Sequence, residues 1–420
     1  MTAGNKQRFK YALFLVPVIV LAYSVKISLK PSDFTVFLEA ASMISEGQSP
    51  YNEWIFVSEG NYCFYFYSPF WAVLLIPFSY LPEFVPQLLW LILSAFFLYR
   101  IWQLLKQYIA PEIIPKRLMN IVLILTVLMS VRFILYNFEM IQMTVFLLWG
   151  SLESIRLINE KRFVFGTALL AFVINVKILP IVIIPYLIYR GQLKAVVITL
   201  GFSVLFLFLP ALFIGWDQNT VLLTEWFDVI NPTNSEHLLE ADLGPHSLTA
   251  LIPTLFSETE GILPSHRNIM SLSVENAVLV MNGIRVVLIF FALYFLAWPP
   301  FKAAKSKIHD LYALSYLFLM IPLIFPHQQK YAFFCIVPAI FYTLNFLVNN
   351  YGKKEGRGKY YLIVVLFSLS FLLMTGTTDG LVGRELNQLF QHYKLITYGT
   401  LLLIPVLVLC KVRYFSKYLD

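Results

Sequence analysis

SDFTVFLEAASMISEGQSPY, residues Ser32 to Tyr51, comes directly after the apolar run Tyr11 to Leu29. Within it Phe34, Phe37, Leu38, Ala41 and Ile44 recur at helical spacing and share one face, with Glu39, Ser42 and Glu46 on the other. A helix of that pattern, entered straight from a hydrophobic span, suits the boundary between lipid and water. Asp33 leads it, after Pro31 and Ser32, and has two readings. It is either the helix N-cap or a carboxylate held near the membrane, where it takes a proton from an acceptor hydroxyl as general base.

The rest of the chain extends the membrane reading. Of its 420 residues 59% are hydrophobic and 13% charged, and the apolar residues come in runs rather than in alternation. A helix needs about 20 apolar residues to cross about 30 Å of hydrocarbon, and a spanning backbone must satisfy its own hydrogen bonds. We therefore expect an all-α polytopic protein, a single integral membrane domain over 1–420, with neither the alternating segments of a β-barrel nor a separate soluble domain.

Two polar stretches, 30–68 and 216–275, read as outer loops. The first carries Asp33, Glu39, Glu46, Glu53 and Glu59 against one Lys, the second nine acids against Arg267 alone. The basic residues gather elsewhere: Lys6, Arg8 and Lys10; Arg156, Lys161 and Arg162; Lys302, Lys305 and Lys307; Lys353, Lys354, Arg357 and Lys359; Lys411, Arg413 and Lys417. This is the positive-inside pattern, so the net charge of +7 reports topology and not a nucleic-acid partner.

Placing every basic cluster inside gives twelve spans with both termini cytoplasmic: Tyr11–Leu29, Phe84–Lys106, Leu118–Tyr136, Phe138–Arg156, Phe163–Val176, Ile178–Tyr189, Ala195–Ile214, Ala277–Trp298, Leu311–Phe325, Tyr331–Val348, Tyr360–Thr375 and Leu395–Cys410. The first lacks a small-residue cleavage site and reads as a retained anchor. Phe70–Leu81 is short, contains Pro77 and ends at Pro82, and is expected to be re-entrant or interfacial. The fifth and sixth spans break at Asn175, Val176, Lys177 and Pro180, as helices lining a cavity do. Cys63, Cys335 and Cys410 make no disulfide framework.

This topology sends the unusual polar residues to one side. Lys177, a cation in apolar surroundings at a helix break, is a functional candidate, or snorkels to the interface. Arg132 and Glu139 flank a turn and suit either substrate contact or a mutual ion pair. His327 and Lys330, in FPHQQK, suit a phosphate or a plain loop, and His246, in GPHS, a substrate or solvent. Tyr51 and Tyr67, among the aromatic residues of the first loop, suit sugar faces or an interfacial belt. There is no Asp-x-Asp or His-x-x-x-His spacing for a metal.

The run from SDF through GQSPY to FYSPFWAVLLIPFSYLP, then KILPIVIIPYLI and GPHSLTALI, resembles glycosyltransferase family 87, polytopic enzymes of the GT-C fold. The resemblance implies a polyprenyl-phosphate sugar donor, a lipid-linked or glycan acceptor, and no cofactor. It makes Asp33 the general base, Lys177, Arg132, His327 and Lys330 the phosphate ligands, and Tyr51, Tyr67, Glu139, His246 and Ser247 the substrate contacts. The family's Gly-Gln-x-Asn turn after the third span reads here as Asn137, Phe138, Glu139, Met140, Ile141 and Gln142, so that an acid stands in for the Gln. The implied protein is a multi-pass glycosyltransferase of a bacterial inner membrane, its site facing the periplasm, with mannose or another hexose or pentose as the sugar. A secondary transporter also suits broken helices and charges near the midplane, but no internal repeat is present; a non-catalytic lipid-binding or scaffold protein is the third reading.

Overall fold

The computed structural model describes residues 17–51, 53–109, 114–231, 240, 243–258, 263, 265–296, 299–354 and 356–412. The start of the expected first span with Lys6, Arg8 and Lys10, parts of the 216–275 loop, Trp298, Arg413 and Lys417 lie outside the described residues. The chain is mostly helical: α1 (Pro17–Ser28), α2 (Phe34–Ser45), α3 (Pro69–Ser79), α4 (Phe84–Lys106), α5 (Lys116–Glu139), α6 (Thr144–Asn159), α7 (Phe163–Val176), α8 (Ile183–Tyr189), α9 (Leu193–Phe208), α10 (Ala211–Ile214), α11 (Trp216–Ile230), α12 (Leu248–Phe256), α13 (Val274–Leu296), α14 (Lys307–Ile324), α15 (Val337–Asn350), α16 (Arg357–Met374), α17 (Asp379–Val382), α18 (Arg384–His392) and α19 (Leu395–Leu409). Two 3₁₀ segments, Leu179–Val182 and Lys330–Ile336, lead into α8 and α15.

Seven of these helical stretches among the described residues have the length and hydropathy to cross a membrane, and the pair α18 and α19, bent by 62°, makes an eighth if taken as one span. The remaining expected spans fall on α1, α6, α7 and α8, which are shorter. Burial separates centre from rim. The stretch Lys330–Asn350 has 89% of its apolar window covered by protein, whereas Leu193–Ile214 has 11%, so the first is the middle of the bundle and the second faces outward.

Three elements beside α4 and α7 break the helical pattern. α2 has 12 residues and α3 has 11, about 18 and 16 Å long, too short to span. α2 is not left to lipid either, because Phe34, Phe37, Leu38, Ala41 and Ile44 are all buried against protein, mainly α3. Phe34 meets Trp90, and Phe37 packs edge-on to Tyr67. The third element is a hairpin absent from the all-α expectation, β1 (Ile55–Ser58) paired antiparallel with β2 (Asn61–Cys63). Its turn uses Gly60 at φ +73°, and the two-residue period puts Ile55 and Val57 inward while Phe56 faces out.

α6 packs between α4 and α7. Near its middle Gly150 meets α7 so closely that a Cβ there would overlap Val173. At its far end Glu153 pairs with Arg100 of α4 at 3.1 Å and with Arg156 at 2.7 Å. Beyond α8, Arg190 pairs with Asp310 of α14 at 3.0 Å and donates to Leu296 O at 2.9 Å.

Candidate active site

The other end of α6 carries a chain of polar groups that starts at Asp33. The N-cap bond of α2 comes from Ser32, whose Oγ accepts from Phe34 N–H at 3.2 Å, and the Asp33 side chain caps nothing. The capping reading of Asp33 is therefore replaced: its Oδ2 accepts a hydrogen bond from Gln142 Nε2 at 2.6 Å. Gln142 Oε1 in turn accepts from the Tyr67 hydroxyl at 3.4 Å, and that hydroxyl accepts from Lys177 Nζ at 3.4 Å.

The chain continues through aromatic rings. The Lys177 ammonium stands 5.0 Å from the Tyr67 ring centre and 5.5 Å from that of Tyr331. Tyr331 stacks on Tyr136, centres 6.3 Å apart, and the Lys330 ammonium lies 4.8 Å from the Tyr136 ring. Each cation is met by the negative face of a ring. Among the described residues neither lysine forms a salt bridge, nor does Asp33.

Local sequence explains the placement. Val176 ends α7, and Lys177 is extended at φ −150°, ψ 132° before the 3₁₀ turn that starts at Leu179 with Pro180 as its second residue, so the ammonium leaves the helix axis at the break. Tyr67 precedes Ser68, whose Oγ caps α3 and also donates to Asn175 O. Tyr51, 3% exposed, donates its hydroxyl to Tyr67 O at 2.8 Å and holds that backbone from behind. Burial pushes the Asp33 carboxyl above the usual carboxylate range, against the Gln142 hydrogen bond and the Lys177 charge, which pull it down.

A second cluster fastens the large loop beside the first. Glu240 accepts from the His327 backbone N–H at 2.9 and 3.1 Å, from Ser247 Oγ at 3.3 Å and from Thr249 Oγ1, and His327 Nδ1 lies 2.5 Å from its Oε1. Burial would raise the Glu240 carboxyl, but the hydrogen bonds and charge of His327, with Thr249, hold it below the usual range. The His327 ring stacks on Phe66, centres 4.6 Å apart, next door to Tyr67.

Of the residues singled out from sequence, Asp33, Tyr67, Lys177 and Lys330 thus stand in one series, with Tyr51 behind it. His327 and Ser247 meet on Glu240. The expected Arg132–Glu139 ion pair does not form. Arg132 NH1 donates to Met374 O at 2.6 Å and to Thr377 Oγ1 at 2.7 Å, tying α5 to the end of α16, while Glu139 is exposed. His246 is fully buried rather than solvent-facing; its N–H donates to Gln328 O at 2.8 Å, and both ring nitrogens lack partners among the described residues.

Gln142 is the residue that sequence reasoning passed over. The sequence reading sets Glu139 at the key position of this turn, whereas in the structure Ile141, at φ +49°, takes the left-handed conformation and Gln142 follows it. A β-branched residue there is uncommon, and without a Gly the turn does not announce itself. Among the described residues no three His, Cys, Asp or Glu side chains cluster as metal ligands would.

Comparison with known proteins adds one match. The sequence model of glycosyltransferase family 87 matches residues 65–326, more than half of the chain, including Tyr67, Gln142, Lys177 and His246. Asp33 precedes the matched stretch and Lys330 follows it, so their placement rests on the geometry above. Neither the curated proteins nor the solved structures contain a match.

Proposed function

The chain belongs to glycosyltransferase family 87 and is a membrane glycosyltransferase; from that premise we propose that it moves one sugar from a polyprenyl-phosphate donor to a lipid-linked or glycan acceptor at the periplasmic face of a bacterial inner membrane. The acceptor oxygen attacks the anomeric carbon while its proton passes to the Asp33 carboxylate. The bond from that carbon to the phosphate oxygen breaks on the opposite face, so the configuration inverts, and the polyprenyl phosphate departs with its charge toward Lys177. Mannose, or another hexose or pentose, is the sugar.

The observation that carries this reading is the separation of roles along one polar series. A carboxylate with raised basicity stands at one end, and two ammonium groups without a carboxylate partner among the described residues stand further along. Fixed cations facing developing phosphate charge are an electrostatic contribution that needs no proton donor to the leaving group. His327 and the Glu240 cluster close the site from the large loop, and Tyr67 and Tyr331 offer ring faces to a sugar. Arg132 supports the site by tying α5, which carries Tyr136, to the end of α16.

The test is transfer by the purified protein in sealed vesicles of known orientation. Labelled sugar should move from polyprenyl-phosphomannose, or from a hexose or pentose analogue, to acceptor supplied on the side where a cysteine at the exposed position 59 is labelled. Cysteines at 161, 305 and 354 should react from the opposite side. Transfer from a nucleotide sugar, or labelling of position 305 on the acceptor side, would sink the reading.

A further inference from the structure

Among the groups that touch Asp33, Gln142 has no role in the mechanism just given, and its fixation is out of proportion to that of a loop residue. It is 5% exposed. Its backbone N–H donates to Asn137 O at 2.9 Å, and its backbone O accepts from Trp90 Nε1 at 3.4 Å. Asn137 is itself held, its Nδ2 donating to Phe133 O and Tyr331 O at 2.8 Å each. With Ile141 held left-handed just before it, the amide has little freedom to point anywhere but along the line from Asp33 to Tyr67.

We infer that Gln142 is the positioning residue of the catalytic base, its neutral amide N–H fixing Asp33 Oδ2 so that Oδ1 is left to the acceptor hydroxyl. The inference rests on the reading of Asp33 as general base. Oδ1 accepts no hydrogen bond among the described residues, while Oδ2 has the 2.6 Å bond. A carboxylate turns freely about its Cβ–Cγ bond unless one oxygen is held, and a base must be aligned with the proton it removes. The choice of an amide has its own logic. An Arg or Lys in the same place would align the carboxylate equally well but would lower its pKa by roughly 1 to 3 units and blunt it as a base. Gln142 orients without a charge, and its other end, Oε1, is directed by Tyr67, so a shift of Lys177 on binding a phosphate is felt at Tyr67 and then at the amide.

The charged and titratable groups around Asp33 come from several elements: Cys63 on β2, Tyr67 before α3, Tyr136 on α5, Lys177 after α7 and Tyr331 in the 3₁₀ segment. Cys63 and the tyrosines are neutral near pH 7, which leaves Lys177 as the one charged group in this set. Replacement of Gln142 therefore leaves the surrounding charge intact.

The experiment is a pH–rate profile in proteoliposomes with polyprenyl-phosphomannose as donor, on wild type, Gln142→Leu, Gln142→Glu and Asp33→Asn. Gln142→Leu should lower kcat roughly 10- to 100-fold, the scale of a misaligned reacting group, with donor KM within about twofold and the acidic limb moved to higher pH. Gln142→Glu, close in size, should work best at acidic pH, where a protonated carboxyl still donates to Asp33, and fall off as pH rises. Titration of Asp33 by difference infrared spectroscopy against Asp33→Asn needs no substrate; Asp33 should ionise at higher pH in Gln142→Leu than in wild type. Wild-type kcat and an unmoved acidic limb in Gln142→Leu, or an unmoved Asp33 titration, overturn the inference. If those results come with an inactive Asp33→Asn, only the role of Gln142 fails; if Asp33→Asn keeps wild-type turnover, the base reading fails with it.

Discussion

The two ends of α6 bury charge in opposite ways. At the far end the buried charges meet opposite charges: Glu153 lies between Arg100 and Arg156, Arg156 reaches Glu160 at 2.6 Å, and, beyond α8, Arg190 is joined to Asp310. At the Asp33 end the carboxylate meets an amide, and Lys177 and Lys330 meet aromatic rings. Taking a charge out of water costs several kcal/mol, and an opposite charge in good geometry is the usual offset. Neutral hydrogen bonds and ring faces offset less. The difference means that one end is held by its own ion pairs, while the other keeps its charges without an opposite charge in contact among the described residues.

The sharpest way to break that comparison is Asp33→Asn. It keeps shape and removes the base, so transfer should fall roughly 10²- to 10⁴-fold. Stability should not fall with it. Asp33 has a folded-state pKa raised by burial, so its contribution to stability is fully present below the unfolded value of about 3.9 and is lost as pH rises through the folded value. At neutral pH the ionised carboxylate is a net cost, and thermal unfolding of Asp33→Asn should occur at or above the wild-type temperature. A destabilised, fully active variant would mean that the two ends do not differ.

Asp310→Ala asks the same of the other end. Arg190 would be left buried without its carboxylate, a loss of about 3 to 5 kcal/mol, read as a lower unfolding midpoint, while donor affinity of the folded fraction should hold. Next in size, Lys177→Ala should weaken binding of a polyprenyl-phosphate analogue by roughly 1.5 to 3 kcal/mol, with partial recovery in Lys177→Arg. Unchanged affinity would assign Lys177 to structure. Smallest is Glu240→Gln, with a cost of about 1 kcal/mol to loop attachment. Because the folded Glu240 pKa is depressed, its contribution is present above the unfolded value of about 4.3 and is lost as pH falls through the folded one. Proteolysis of the 216–275 loop in wild type should therefore accelerate at acid pH, and the variant should show that sensitivity already at pH 7.

Much of this site could be read in the sequence because its members announce themselves. Asp33 and Lys177 are charges in apolar surroundings, and Tyr67 lies in the same run as Ser68 and Pro69. Helix positions were legible for the same reason, since long apolar runs leave few alternatives. What stayed hidden depended on side-chain direction or on contacts distant in sequence. Gln142 and Asp33 are 109 residues apart, and the choice between Ser32 and Asp33 as cap turns on rotamers alone. The hairpin at Ile55–Cys63 has strands of four and three residues, too brief for a period-2 pattern to stand out. The partners of Arg132 are distant too: its NH1 donates to a carbonyl and a hydroxyl near the end of α16, more than 240 residues on.

Gly150 acts at a distance from all of this. Gln142 lies just before α6 begins and Lys177 just after α7 ends, and the two helices touch at Gly150 and Val173. Gly150 is thus one of the points that set how closely α7 lies against α6, and with it how far Lys177 stands from Gln142. A methyl group there would act as a shim, forcing α7 away from α6 and widening the span between Gln142, which holds Asp33, and Lys177, without altering any member of the polar series itself.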